Sequence, residues 1–571
     1  MTSTYDVLLG RLRGAFDAVL EGADPVLRAS DRGDYQANGI MALAKSQGVA
    51  PREMAELVLT HLDLEGIARV EVAGPGFLNL TLTPAFLDDR LRGLLDDERL
   101  GVASIAGRTA VIDYSAPNVA KEMHVGHLRS TVIGDALARI YRFRGYRVVA
   151  RSHVGDWGTP FGMLIEHLVD LGEATAMAAL SIGDLDGFYR AARVKFEADE
   201  EFRERSRLRV VSLQGGDPET RRLWQILVDE SVAYFAEVYA ALDVTLTPAD
   251  VVGESHYNDM LDDVVTDLDA KGLLVESGGA LCVFPDGFTN RYGEPLPLIV
   301  KKRDEGFGYA ATDLAALRDR VDHLHADELL YVVGAPQSQH FEMVFAVARA
   351  AGWLPASVRC EHVAFGNVLG PDRKMFKTRA GETVKLIDLL DEATQRADVT
   401  LAQRSSDLSV EERQHLATQI ARAAIKYADL SNDRQRDYVF DLERMIAFEG
   451  DTGPYLQYAH ARLRSIFRRL GTPWDPSTAV FTLAHDAERD LARGLIALPE
   501  AVDAAMATLH PHRLSGYLFD LAQRFTTFYE ACPVLSAAEP SRTERLALCE
   551  LTARTLHLGL SLLGIEAPER M

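Results

Sequence analysis

The chain has 571 residues, 47% of them apolar and 25% charged, with a formal net charge of −23. That length exceeds the roughly 250–300 residues at which one core stops growing, so two to four domains are expected, and the ordinary composition leaves no place for long disorder. The negative balance excludes indiscriminate nucleic-acid binding, whose affinity comes from Lys and Arg releasing counterions, and no run approaches about 18 uninterrupted apolar residues, which excludes a membrane span.

Residues 1 to about 105 read as a separate α/β unit: a polar-punctuated helical start, then strand-like runs holding Val70, Val72, Phe77, Leu78 and Leu80 around the Gly74-Pro75-Gly76 turn. The opening MTSTYDVLLGRLRGAF interrupts its apolar runs with Asp and Arg, so no export signal is expected. DDERLGVASIAGR reads as a linker. From Thr109 the pattern becomes strand, helix, strand: TAVIDYS, then Leu128, Val132, Leu137 and Tyr141 at helical spacing up to Gly145, then YRVVARSHVGDWG. Such a βαβ unit implies a parallel sheet with ligands at the carboxyl ends of its strands. Residues from about 171 to 290 read as a mainly helical insertion, after which the sheet resumes in PLPLIVKK, ELLYVVGAPQSQH and CEHVAFGNVLG. Past about residue 381 the strand signal fades into helices, opened by a Ser409–Glu412 capping box with Leu416, Ile420, Ala423 and Tyr427 on one face.

His124 and His127 flank Gly126 where the strand gives way to the helix, with Lys121 three residues upstream. A helix N-terminus carries unpartnered N–H groups and about half a positive charge, glycine admits a ligand close to the backbone, and imidazoles donate to phosphate oxygens. The geometry suits transfer onto the α-phosphate of a nucleotide, where such donors meet charge that grows in the transition state. A metal pair and purely structural histidines remain as alternatives. A second cationic element, Lys374, Lys377, Arg379 and Lys385, crowds a glycine-flanked loop suited to the β- and γ-phosphates of ATP; a solvated loop is the alternative. Two arginine-rich stretches, Arg139–Arg151 and His460–Leu470, hold five and four arginines without an acid. The four cysteines are far apart and form no Cys-x-x-Cys pair, so neither a zinc site nor a disulfide framework is expected and the setting is a reducing cytoplasm.

HVGH and KMFKTR resemble the two signature motifs of class I aminoacyl-tRNA synthetases, the second in degenerate form: one register gives the lysine places to Lys374 and Lys377 with Phe376 at the usual serine, while the other puts Met375 at the first lysine place. Within that class the chain resembles arginyl-tRNA synthetases over nearly its whole length, through GDYQANGIMALAK, VEVAGPGFLNLTL, SAPNVAKEMHVGHLRSTVIGD, HVGDWGTPFGMLIEHL, YAATDLAAL and KYADLSNDRQRDYVFDLERMIAFEGDTGPYLQYAHARLRSI. The resemblance implies an α/β fold with three parts: an N-terminal added domain over 1–105, a Rossmann-like catalytic domain over 106–385 with its insertion, and a helical anticodon-binding bundle over 386–571. It implies activation of L-arginine by ATP, with magnesium and without zinc, and transfer to the 3′ end of tRNA(Arg). Asp113, Asn118, Tyr309, Asp313 and Gln337 fall at the family's arginine-contacting positions, and acids there suit a guanidinium, a flat fork of donors that carboxylates meet in paired bonds. His124, Gly126, His127, Lys121, Lys377 and Arg379 fall to ATP. Tyr455, Tyr458, Arg462 and Arg464, on one expected helix, suit RNA bases and backbone, although the tyrosines equally suit a core. A monomer is expected. A catalytically inactive relative that binds RNA or senses amino acids is the alternative, as is an enzyme that passes the aminoacyl group to a small thiol or amine.

Overall fold

The computed structural model describes residues 2–181, 184–303, 306–376, 384–404, 408–471 and 474–571, and these fall into two compact units. The first joins the two ends of the chain, the residues through Ser104 with Phe448–Leu562 and Glu566–Met571. Its sheet is antiparallel in the order β1 (Leu27–Ala29), β2 (Tyr35–Ala37), β4 (Phe77–Leu82), β3 (Ala68–Ala73). The Gly74-Pro75-Gly76 turn closes the β3–β4 hairpin. Gly76 has φ 141°, and a Cβ there would lie 2.8 Å from the Pro51 carbonyl oxygen, so both backbone conformation and space demand glycine. The helix Pro84–Asp96 starts where its sequence says, with Pro at its first position and Thr83 Oγ1 accepting from Phe86 N. Three helices, Thr4–Asp17, Ile40–Gln47 and Pro51–His61, precede the hairpin, and five α-helices, from Gly453–Leu470 to Ser541–Leu562, make up the C-terminal part of the unit. Tyr35 Oη donates to Glu500 at 2.7 Å and Arg493 pairs with Asp34 at 2.6 Å, so the N-terminal sheet and the C-terminal helices share partly buried polar contacts.

The second unit, Ile105–Ala447 with Leu563–Ile565, carries the parallel sheet. Its order is β12 (Arg359–His362), β11 (Glu328–Tyr331), β5 (Thr109–Asp113), β6 (Arg147–Val154), β7 (Val251–Gly253), with every neighbouring pair parallel. From β5 the chain first adds β6 on one side and later β11 on the other. That reversal opens a crevice at the carboxyl ends of β5 and β11, where doubly wound sheets take their ligands. A separate three-stranded antiparallel sheet holds β8 (Val275–Ser277), β9 (Ala280–Val283) and β10 (Leu298–Lys301). β7 lies inside the range read as insertion yet pairs with Ser152–Val154; three residues are too few to show a period in sequence.

The helices Leu386–Arg404 and Val410–Leu430, read as the start of the helical domain, group with this sheet. One buried pair explains why. Arg129, on the helix Val125–Phe143, is 1% exposed and donates from Nε to both oxygens of Asp429, which is 0% exposed, while its Nη1 donates to the Arg436 carbonyl. The rings of Tyr438 and Phe365 cover the guanidinium. Just beyond Asp429, the short strand β14 (Tyr438–Val439) pairs with β13 (Val368–Leu369), the strand that leads into the basic loop. The Ser409–Glu412 capping box forms as expected, and Leu416, Ile420, Ala423 and Tyr427 are buried.

Stranding one buried charge costs far more than replacing both with apolar groups. Asp429→Ala should therefore lower the stability of this unit by about 3–5 kcal/mol, whereas the Arg129→Met/Asp429→Leu double variant should lose clearly less, as read from urea unfolding.

Candidate active site

The loop after β5 carries Asn118 and Lys121 to the helix Val125–Phe143, and His124 caps that helix. His124 Nδ1 accepts from Gly126 N at 3.0 Å, and His127 Nδ1 accepts in turn from His124 N at 3.1 Å. The two rings lie 4.1 Å apart. This is a capping box built from imidazoles. Because each Nδ1 is an acceptor, each neutral ring carries its proton on Nε2, and both keep one N–H donor to offer. Burial pushes His127 down to about 3, helped by the neighbouring His124, and burial also lowers His124, so both rings stay neutral near pH 7. A Cβ at position 126 would sit 2.7 Å from the His124 ring, so glycine is needed beneath the cap itself.

The segment after the basic loop is stitched to this turn. His124 and Lys385 form an antiparallel bridge, Val125 N donates to Val384 O, Leu386 N donates to Met123 O, and Lys385 Nζ donates to Glu122 Oε2 at 2.7 Å. The other end of the loop rises from a tight turn in which Gly370 N donates to Lys374 O, and Phe376 stacks on Phe440 with ring centres 5.0 Å apart. Phe376, at the usual serine place of one register, is thus an anchor. Lys374 is exposed, and Lys377 and Arg379 lie outside the described residues.

A cavity of about 990 Å³ opens beside the turn, reaching Asn118, Lys121, Trp157, Glu254 and Tyr309. Lys121 Nζ lies 4.6 Å from the centre of the Tyr189 ring. Tyr309, the first residue of the helix Tyr309–Asp322, is 75% exposed. Asp313 stands one turn further along, and its Oδ2 accepts from His340 Nε2 at 2.6 Å. Gln337 is exposed at the end of the short turn before the helix Ser338–Ala350.

Asp113 behaves differently from the expectation. Its carboxylate accepts from the fully buried Arg320 at 2.7 Å, and Arg320 in turn stacks over Tyr331. A buried aspartate at a strand end needs a compensating charge, and the protein supplies its own guanidinium, so Asp113 does not present a free carboxylate to the cavity.

Glu254, absent from the sequence reading, follows β7 and lines the cavity. Burial, with the charges of Asp156 and Asp313, raises its carboxyl to about 7. Its only sequence signal was a Gly-Glu at the end of a strand too short to recognise. The cavity lining therefore brings Glu254, an acid suited to a cation, and Lys121, an ammonium suited to an anion, into one space; Asp313 stands one helical turn beyond Tyr309, and His124 and His127 stand three and six residues beyond Lys121.

Among the expected RNA-contacting residues, Tyr458 is 45% exposed. Arg462 stacks on Tyr529, Arg464 pairs with Glu550 at 3.0 Å, and Tyr455 packs edge-on against Phe519. These three are engaged within the protein.

Residues 91–442 match the family model for the class I (R) tRNA synthetase catalytic domain, 456–571 the DALR anticodon binding domain, and 9–82 the arginyl-tRNA synthetase N-terminal domain. The chain is 53% identical to an arginine–tRNA ligase of Thermobifida fusca over 577 aligned positions, covering 100% of each, and 50% identical to one of Escherichia coli, covering 99% of each. Among solved structures, arginyl-tRNA synthetase from Plasmodium falciparum superposes with a TM-score of 0.86 at 28% identity, covering 100% of both chains. That of Thermus thermophilus gives 0.83 at 26%, covering 99% of this chain and 100% of that one. Together with the capped helix, the parallel sheet and the two-sided cavity, these matches show that the chain belongs to the arginyl-tRNA synthetase family of class I and that its activity is that of an arginine–tRNA ligase.

Proposed function

We propose that the cavity holds arginine against Asp313 and Glu254 and ATP against the capped helix, so that the arginine carboxylate attacks the α-phosphate. Arginyl adenylate forms and pyrophosphate leaves; the 3′-terminal hydroxyl of tRNA(Arg) then attacks the activated carbonyl and AMP leaves. The observation that carries this reading is a cavity that holds Lys121 and Glu254 together, the Glu254 carboxyl raised by burial and by repulsion from Asp156 and Asp313, next to a helix end whose imidazoles keep their Nε2 protons. A bound guanidinium relieves that repulsion, while lysine's point charge cannot bridge two carboxylates in paired bonds. Asn118, Tyr309 and Gln337 border the arginine; Asp113 acts through Arg320, shaping the floor beneath them.

The Nε2–H groups of His124 and His127, the backbone at Gly126 and the ammonium of Lys121 stabilise charge developing on the α-phosphate oxygens. Lys374, Lys377 and Arg379 take the β- and γ-phosphates of the leaving pyrophosphate. Magnesium needs oxygen ligands and is commonly bound through substrate phosphates and water. The phosphate side of the cavity offers N–H and ammonium donors, a poor fit to a resident cation, so the ion arrives as part of Mg·ATP. Tyr458, with Tyr455, Arg462 and Arg464 around it, faces the anticodon of the tRNA. The enzyme works as a cytoplasmic monomer; among the described residues no helix is long and apolar enough to cross a membrane.

Asp313→Ala should abolish ATP–pyrophosphate exchange, assayed with arginine and tRNA(Arg), at an unchanged melting temperature; near wild-type exchange would remove Asp313 from the pocket. Lys121→Met should cut kcat for exchange at least tenfold with little effect on KM for arginine, because the ammonium meets only phosphate. Glu254 binds the cation when ionised, and its carboxyl stands at about 7 in the free enzyme. As pH falls through 7 it protonates, so kcat/KM for arginine should decline on the acid side, and Glu254→Gln should flatten that limb at a lower plateau. An unchanged acid limb in Glu254→Gln would assign the titration to another group.

A further inference from the structure

His340 has no place in the roles assigned so far. It is the third residue of the helix Ser338–Ala350, three positions after Gln337, and its Nε2 hydrogen-bonds Asp313 Oδ2 at 2.6 Å. Since a carboxylate can only accept, the imidazole is the donor. Both side chains are partly buried, at 29% and 23% exposure, and the Phe341 ring stands edge-on to the imidazole at 5.5 Å. Phe341 is itself 5% exposed and packed against Tyr331 and His362. The donor is therefore held on a rigid base.

The second torsion of an aspartate is broad and nearly two-fold, so a carboxylate at the end of one turn of helix can present many planes to a ligand. Fixing one oxygen fixes the plane. A guanidinium reads that plane, because its parallel N–H groups must meet both oxygens together; an ammonium is a rotatable point charge and does not.

We propose that His340 is a positioning and specificity-determining residue, which sets the plane of the Asp313 carboxylate so that it accepts a planar forked cation in preference to a point-like one. The proposal rests on Asp313 meeting the substrate's guanidinium. It predicts that loss of the donor harms arginine selectively, whereas a loss of fold or of charge harms every cationic ligand alike.

The test uses the full enzyme with tRNA(Arg), comparing KM for arginine with the inhibition constant of L-lysine in ATP–pyrophosphate exchange. His340→Phe, which removes the donor and keeps a ring, should raise KM for arginine about tenfold or more, the scale of a hydrogen bond to a charged group, and leave the lysine constant within about twofold. His340→Gln, whose amide N–H reaches a similar point, should restore most of the preference. Equal changes for arginine and lysine, no change for arginine, or failure of His340→Gln to recover at a wild-type melting temperature would each overturn the proposal. Asp313→Asn separates it from its foundation: if that variant raises KM for arginine while His340→Phe does not, only the role of His340 falls. If Asp313→Asn leaves KM unchanged, the pocket assignment falls with it.

Discussion

The site depends on a cap. Two imidazoles at the head of the helix Val125–Phe143 spend their Nδ1 atoms on backbone N–H groups, His124 on Gly126 and His127 on His124. This satisfies orphan donors that every helix start leaves open, and it also fixes which nitrogen of each ring holds the proton. Burial keeps both rings uncharged. The same bonds that start the helix thus leave two N–H donors ready beside the positive end of its dipole. A structural role for the histidine pair and a phosphate-binding one, which compete when only the sequence is read, are compatible in this arrangement.

Near that cap charge is unevenly spread. Burial first, and then the charges of Asp156 and Asp313, lift the Glu254 carboxyl. Asp113, at the end of β5, is neutralised by Arg320. Without that internal guanidinium the strand end would hold an unpaired buried carboxylate. Lys121 is poised over Tyr189, and the described residues on either side of the basic loop are fastened, Phe376 on Phe440 and Lys385 to Glu122. The buried Arg129–Asp429 pair ties the capped helix to the helix Val410–Leu430, and β14 close behind it carries the root of that loop. Helix, loop and sheet therefore belong to one unit.

Much of this was legible in the sequence because it rests on local patterns. The strand–helix–strand signal from Thr109, the glycine turn at 74–76, the Ser409 capping box and the order of family segments all depend on residues close in the chain. What escaped depends on contacts distant in sequence. β7 is three residues long and becomes a strand only by pairing with β6, so Glu254 at its end carried no recognisable signal. The Asp113–Arg320 pair spans 207 positions, so no local pattern announced it. Helices 386–430 look in sequence like those of the C-terminal bundle; contacts distant in the chain, such as Arg129–Asp429 and Lys426 Nζ to the Asp243 carbonyl, reveal which unit they join. The pairing of the N-terminal sheet with the C-terminal helices, through Tyr35–Glu500, had no local signature either.

The tautomers of His124 and His127 give the most direct check of the central claim. Long-range ¹H–¹⁵N spectra of imidazole-labelled enzyme, assigned with single His→Asn variants, report which ring nitrogen is protonated. Both rings should hold the Nε2–H form at pH 7, and the Nε2 resonances alone should shift when a non-hydrolysable Mg·ATP analogue binds with arginine. Protons on Nδ1, or Nε2 signals indifferent to the nucleotide, would contradict that claim.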